Sequence, residues 1–517
     1  MIRLAKRKRK PMWLRRLLIG RMIVALLILL QFVFIFLTII NYQELRWVKY
    51  TVTALSTLTC FHLLTRRDLK SAFKLSLIFL ILLFPLFGGV LYCILQYQTE
   101  NTGFRRKIAR ISKEGKKDYI HSKETLDAAK AALPTNGKLL TYLERVPEFP
   151  VCQNTETVYF ADGNEMLASI LDELKKAEKY IFLEFFIIEE GKFWDPILEI
   201  LEERAAHGVD VRIIYDDIGC LLRLPKNYAK RLAAKGIQCK VFNPFRPFLT
   251  SVQNNRDHRK IITIDGKVAY TGGINLADEY LNEKVLFGKW KDNAILLRGD
   301  GAWSFTVMFL QMWSFLSKKS DDISAYRPTF DTVTESRGWV QPYCDSPTDH
   351  EHVSEHVYLN IIDQARDYLY ITTPYLTIDG TILSALKLCA KSGVDVRIIT
   401  PRHPDKKIVH FTSRSYYREL IRAGVRIYEY SEGFIHAKSF ISDDQVGTVG
   451  TVNLDFRSLY LHFECGTCLY QTDSLCDLKA DYLKTLESCY EMTEKDCKRN
   501  FLVGLMQDIC RIFAPVM

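Results

Sequence analysis

The amino-acid sequence predicts an α/β protein of two duplicated units packed about a pseudo-two-fold axis, preceded by an N-terminal transmembrane hairpin. Three observations carry this expectation. The heptapeptide Gly-Val-Asp-Val-Arg-Ile-Ile stands at 208–214 and again at 393–399, a second pair of matched blocks closes each half, and two long uncharged runs lie near the N-terminus. Identical heptapeptides in matching contexts indicate internal duplication. One copy alone would leave a sheet face unburied, so the two are expected to pack on each other.

At 517 residues, 48% of them hydrophobic, the chain exceeds what one compact domain needs. Its formal net charge is +10, but the first 21 residues hold nine Lys or Arg and no acid. Subtracting those nine leaves +1 over the remaining 496 residues. A nucleic-acid enzyme needs a basic field over its working domain, so this distribution argues against a nucleic-acid partner. The thirteen cysteines are scattered and odd in number, which favours a reducing compartment. Cys465 and Cys468 form a Cys-x-x-Cys without a second pair at zinc spacing, and read as core residues of a strand.

Met22 to Ile40 gives nineteen uncharged positions interrupted only by the polar Gln31 and Thr38, long enough to cross a bilayer as a helix. Leu75 to Leu95 gives a second such run. No small-residue cleavage site follows the first, so an anchor is expected rather than a signal peptide. Thr51 to Leu64 is short and Thr-rich, as an interfacial or re-entrant piece would be. Two spans behind a basic N-terminus return the catalytic part to the cytoplasm; a third would reverse that, and the cluster Arg66, Arg67, Lys70 and Lys74 suits the reversed arrangement. The expected division is 1–96 for the basic tail and anchor, 97–134 for a connector, 135–316 and 338–517 for the two units, and 317–337 for the linker between them.

In the first unit, Met166, Leu167, Ile170, Leu171 and Leu174 mark a helical face, and Tyr180 to Ile188 reads as a strand. Asp195 and Pro196 supply an N-cap and a first-turn proline, Gly208 stops the helix, and Asp210 to Tyr215 is the next strand. The second unit repeats the pattern. Ala365 to Tyr368 opens a strand, Asp379 begins a helix, Gly393 ends it, and Asp395 to Thr400 follows as a strand.

The matched blocks carry the chemistry. One has His258, Lys260, Asp265 and Asn275; the other has His436, Lys438, Asp443 and Asn453, each displaced by 178 residues. Residues two apart in a strand share a face, so each His points with its Lys, and both pairs are expected to converge where the units meet. A phosphodiester needs a nucleophile, an acid for the leaving alkoxide and cations over the non-bridging oxygens. Histidine serves as nucleophile, base or acid near neutral pH, while the lysines and Asn275 and Asn453 suit the phosphate. A His-Asp metal site is the rival, disfavoured because a lysine beside each candidate ligand repels the ion.

The two blocks resemble the paired His-Lys-Asp signature of the phospholipase D superfamily. Within it the chain is similar to bacterial cardiolipin synthases, through Asn254 to Lys260, Ile371 to Tyr375, Ser413 to Tyr417, Asn453 to Ser458, the hydrophobic hairpin and Arg511 to Pro515. The resemblance implies two phospholipase D-like α/β/α units and catalytic roles for His258, Lys260, Asp265, His436, Lys438 and Asp443. It also implies a phosphohistidine on His258, proton donation by His436, and no metal or other cofactor. By position Asp292 and Glu464 match the acids that orient the histidines. Departures are His462, where Asn is expected, and Gly273 and Thr451, where Ser is common. The implied reaction joins two phosphatidylglycerols into cardiolipin and releases glycerol at a bacterial cell membrane. Hydrolysis, another headgroup exchange, or a non-catalytic membrane scaffold are the alternatives. Phe242, Phe245, Phe248 and Leu249, interleaved with Pro244, Arg246 and Pro247, suit an interfacial loop or equally a loop packed inward.

Overall fold

The computed structural model describes residues 46–67, 69–85, 87–90, 92, 102–245, 251–317, 321–329, 336–349 and 351–516, with scattered positions between 26 and 44. The chain divides into two compact units, 1–102 with 244–255 and 516, and 103–243 with 256–515 and 517.

The first unit contains the helices Arg46–Thr65 and Ser71–Leu83, joined by a small core of Cys60, Leu63, Ile81 and Tyr92. Ten of the nineteen positions of the apolar run 22–40 are described, and all ten are helical. The run 75–95 is not one continuous helix: it breaks at Phe84 (φ −132°, ψ 76°), ahead of Pro85. Proline withholds an N–H and pushes the preceding residue out of the helical region. The Thr-rich stretch 51–64 is helical throughout, its threonine hydroxyls donating back to carbonyls four residues earlier, as from Thr51 to Trp47 at 2.9 Å. Among the described residues no helix is both long and apolar enough to cross a membrane.

The second unit holds two sheets of the same design. The first comprises β1 (Thr155–Phe160), β2 (Tyr180–Phe185), β3 (Asp210–Asp216), β4 (Gln238–Phe242), β5 (Lys260–Ile264), β6 (Val268–Gly272) and β8 (Ala294–Gly299), while β7 (Lys289–Lys291) stands apart. Their order is β1-β8-β6-β5-β2-β3-β4. The second comprises β9 (Trp339–Asp345), β10 (Tyr368–Thr372), β12 (Asp395–Pro401), β13 (Arg426–Tyr430), β15 (Ser439–Ser442), β16 (Val446–Gly450), β18 (Glu464–Tyr470) and β19 (Cys489–Met492). Outside it lie β11 (Leu376–Thr377), which pairs with β17 (Leu454–Asp455), and β14 (Gly433–Ile435), which pairs with β7. Its order, β9-β18-β16-β15-β10-β12-β13-β19, is that of the first sheet with one strand added at the edge. The duplication read from the sequence is therefore a duplication of topology.

The repeated heptapeptide occupies the same place in both sheets, as the glycine ending a helix and the strand that follows. Gly208 and Gly393 have φ of +89° and +98° with open space where a Cβ would lie, so backbone conformation rather than crowding selects glycine. Asp and Arg two residues on share a strand face and pair, Arg212 to Asp210 at 2.9 Å and Arg397 to Asp395 at 3.0 Å. Asp379 caps its helix as expected, accepting from Thr381 and Ile382. Asp195 instead falls within the first turn of Trp194–Ala206. The strand expected over 180–188 ends at Phe185.

The helix Asp300–Leu316 is buried on almost every side. Contacts across the halves include a bridge between Cys152 and Val340 and hydrogen bonds from the Gln341 side chain to the Phe149 carbonyl (2.9 Å) and from Tyr159 to Asp481 (2.7 Å). Part of the expected connector is helical, over Thr102–Gly115 and Lys123–Ala132. Of the aromatic segment ahead of the first motif, Phe242 is buried in β4 and residues 246–250 lie outside the described residues.

Candidate active site

His258 and His436 lie just before β5 and β15, inner strands of their sheets. Each is held by a segment of the opposite half. The His258 N–H donates to the Phe463 carbonyl at 2.9 Å, and the Phe463 N–H to the Arg256 carbonyl at 2.8 Å. In the other half the His436 N–H donates to the Lys291 carbonyl at 2.7 Å, where β14 runs parallel to β7. The side chains repeat the exchange. His258 Nδ1 lies 3.0 Å from both oxygens of Glu464, and His436 Nδ1 lies 2.7 Å from Asp292 Oδ2. Backbone pairing brings each acid to the partner histidine, so neither half is complete alone.

With Nδ1–H donated to a carboxylate, each imidazole keeps its Nε2 lone pair for chemistry. Aromatic rings wall both: Phe186 at 5.1 Å from His258, and Tyr280 and Trp290 at 5.8 and 5.7 Å from His436. Both lysines are 1% exposed, which sets them apart from ordinary surface cations. Lys260 Nζ donates to the His258 carbonyl at 2.6 Å, and Lys438 Nζ to the His436 carbonyl. Arg259, between the first pair, points to the other face by strand alternation and binds the buried acids Glu184 and Asp257, the latter at 3.2 Å. Sequence reading passed over this network, although a charged residue inside an inward-facing strand signals a buried partner.

The electrostatics follow from burial. Burial pushes Lys260 down to about 8 against the pull of Glu464, and Lys438 down to about 7 against that of Asp292. Burial, aided by Lys438, lowers His436 to about 4 despite Asp292. His258 is also pushed down by burial, with Lys260 adding to the effect and Glu464 opposing it. Both imidazoles are thus neutral near pH 7. Lys260 also lowers both Lys438 and His436, so positive charges repel across the site. A phosphodiester anion between them relieves that repulsion and raises the basicity of both histidines.

The remaining expected residues separate into two groups. Asn275 Nδ2 donates to the Tyr280 hydroxyl at 2.6 Å while its Oδ1 accepts from the Ile187 N–H at 3.0 Å; Asn453 Nδ2 donates to Ser458 at 3.0 Å. Each amide nitrogen has a second hydrogen to offer a phosphate. Asp265 and Asp443 are not brought to the histidines. Seven residues of extended chain separate each from its histidine, roughly 23 Å. At φ of +52° and +55°, they turn back so that their carboxylates accept the N–H groups of Glu178, Lys179 and Tyr180, and of Arg366, Asp367 and Tyr368. The expected direct catalytic part for these two aspartates is corrected to anchoring the start of β2 and β10.

The departures also have physical accounts. A Cβ on Gly273 would lie 2.0 Å from Asp292 Oδ1, so the absent side chain makes room for the acid. The matching Thr451 donates its hydroxyl to Glu464 and so fixes the carboxylate that holds His258. His462 Nδ1 lies 3.6 Å from Glu464 and its ring 5.5 Å from that of His258. His258, His462 and Glu464 each offer a ligand atom within 4.8 Å of the others. A divalent ion there would displace the His258–Glu464 hydrogen bond and add charge beside the buried lysine, so the donor set does not fit a resident metal.

A family model described as "Cardiolipin synthase, PLD-like domain" matches residues 170–289 and 358–488, the heart of each half. An uncharacterized protein of Streptococcus mutans is 45% identical over 84% of this chain and 95% of its own length. A cardiolipin synthase of a Geobacillus species is 38% identical over 73% of this chain and 76% of its own. A cardiolipin synthase 2 of Bacillus anthracis is 34% identical over 84% and 85%. Among solved structures, a phosphatidylserine synthase of Haemophilus influenzae shares the fold with a TM-score of 0.54 at 14% identity, covering 71% of this chain and 94% of that one. The chain belongs to the cardiolipin synthase family of phospholipase D-like proteins.

Proposed function

We propose that the protein transfers a phosphatidyl group from one phosphatidylglycerol to another, giving cardiolipin and glycerol through a phosphohistidine. The observation that carries this reading is the crossed pairing of the histidines, His258 with Glu464 and His436 with Asp292. His258 Nε2 attacks phosphorus while Lys260, Lys438, Asn275 and Asn453 bind the non-bridging oxygens. The bond to the glycerol oxygen breaks, and His436, protonated from solvent once the bound phosphodiester anion has raised its basicity, gives that oxygen its proton. Neutral His436 then takes the proton from the hydroxyl of a second phosphatidylglycerol, whose oxygen displaces His258 from phosphorus. Glu464 and Asp292 steady the imidazolium charge that each step creates.

The lipid substrate sets the surroundings. The basic N-terminal tail and the apolar runs 22–40 and 75–95 support a multi-pass anchor in a bacterial cell membrane with the catalytic part in the cytoplasm. Lipid rather than nucleic acid is the partner.

Detergent-solubilised protein given phosphatidylglycerol should release glycerol and form cardiolipin, and chelator should leave the rate largely unchanged. Resolving the lipid products checks both points. Phosphatidic acid as the main product would indicate a hydrolase. Loss of turnover on chelation, restored by one divalent ion, would overturn the metal-free mechanism.

A further inference from the structure

We propose that the C-terminal helix Phe501–Phe513 lies on an anionic phospholipid surface, with the basic cavity beside it receiving a lipid phosphate. Asn500 caps the helix, its side chain accepting from the Val503 N–H at 2.9 Å. Phe501, Leu502 and Met506 are 82%, 68% and 60% exposed, and Leu505 and Ile509 continue the same stripe. The spacing i, i+1, i+4, i+5, i+8 makes one continuous face. The side turned to the protein holds Gly504 and the polar Gln507, whose Nε2 donates to the Phe411 carbonyl at 3.3 Å, and Arg511, stacked 4.1 Å from the Tyr416 ring. Val503 and Cys510 on that side are only half-buried, so no large apolar residue of the helix is fully buried while its most exposed face is apolar, the reverse of a helix that closes a water-soluble core.

Charge supplies the second argument. Next to the helix a cavity of about 410 Å³ is lined by Lys387, Lys391, Arg414, Arg418, Arg422 and Arg511. Arg499, which hydrogen-bonds Gln507 at 3.0 Å, lines it too. Four carboxylates face these cations. Glu419 takes Lys387 (2.7 Å) and Arg511 (3.2 Å), Glu429 takes Arg414 (2.8 Å), Glu494 takes Arg422 (2.5 Å) and Arg418 (3.5 Å), and Asp508 takes Arg499 (3.1 Å). Seven cations against four acids leave three positive charges in excess. An exposed apolar stripe beside a cationic hollow is complementary to acyl chains beneath phosphate groups. A second copy of the chain would have to bring anions as well as an apolar surface, whereas an anionic bilayer presents both.

The choice of surface rests on the reading of the chain as a phospholipid enzyme, but the test reads backbone protection and not turnover. Full-length protein is reconstituted in phosphatidylcholine vesicles with or without phosphatidylserine, which is not a substrate of the proposed reaction, and amide hydrogen exchange is followed over 501–513. Exchange should slow in the anionic vesicles, and added salt should weaken the effect. A basic side chain at an anionic surface contributes roughly fivefold in binding, so K391Q combined with R418Q should reduce protection by about tenfold or more. L502S combined with M506S should remove protection while leaving turnover in detergent unchanged, which shows that the variant is folded. Equal protection in neutral vesicles, or none in either, would overturn the proposal. So would protection in detergent that grows with protein concentration, the mark of contact between copies of the chain.

Discussion

Purified His258→Ala and His436→Ala variants should each lose about 10⁴-fold or more in kcat while remaining folded. His258 carries the phosphatidyl group and His436 makes both proton transfers, so neither can cover for the other, and groups that act as a unit do not lose activity additively. The double variant should be little worse than either single one. Removing an imidazole also strands a buried carboxylate, Glu464 at 0% exposure or Asp292 at 2%, which costs stability. His→Gln variants, which keep a donor toward each acid, therefore accompany the alanines. Turnover is measured with thermal unfolding beside it. Near-wild-type turnover in a folded variant of either histidine would remove the two-histidine mechanism.

The second large effect lies with the crossed acids. Glu464→Gln and Asp292→Asn should lower kcat by about 10² to 10⁴-fold, with smaller changes in KM. An amide keeps the shape but withdraws the charge that stabilises imidazolium and can present the wrong hydrogen-bonding atom to Nδ1. Because Glu464 holds His258 and Asp292 holds His436, the two acids act on different steps. If His258 is the nucleophile, Glu464→Gln slows formation of the covalent intermediate. Asp292→Asn mainly affects the proton transfers made by His436. Rapid-quench kinetics on the two variants separates these outcomes.

Much of this site was legible in the sequence because the duplication is in register. A common offset of 178 residues ties His258, Lys260 and Asn275 to His436, Lys438 and Asn453 in the sequence alone, and strand alternation puts each Lys beside its His. The same offset misled for Asp265 and Asp443. Position alone cannot tell a carboxylate at the chemistry from one at the far end of the strand, and both are fixed by backbone N–H groups at left-handed turns. That the acids cross between halves was also not readable, since it depends on segments such as β7 and β14 pairing over more than a hundred residues. Thr451 stood out as a departure, but its purpose as a donor to Glu464 appeared only with the folded geometry. In the N-terminal unit hydropathy suggested an unbroken run over 75–95, and Pro85 divides it.

The most direct test of the account is the covalent intermediate. Wild-type protein is mixed with phosphatidylglycerol labelled in its phosphate, quenched rapidly into base, and the protein-bound label is characterised. A phosphohistidine is stable to alkali and labile to acid. The account predicts such a label on the wild type, its retention or accumulation in His436→Ala, where breakdown is slowed, and its absence from His258→Ala. Label that persists without His258 and vanishes without His436 would reverse the two roles. Cardiolipin formed with no protein-bound label at any quench time, and with inversion of configuration at a chiral phosphorus, would contradict the account, because two in-line displacements through a histidine give net retention.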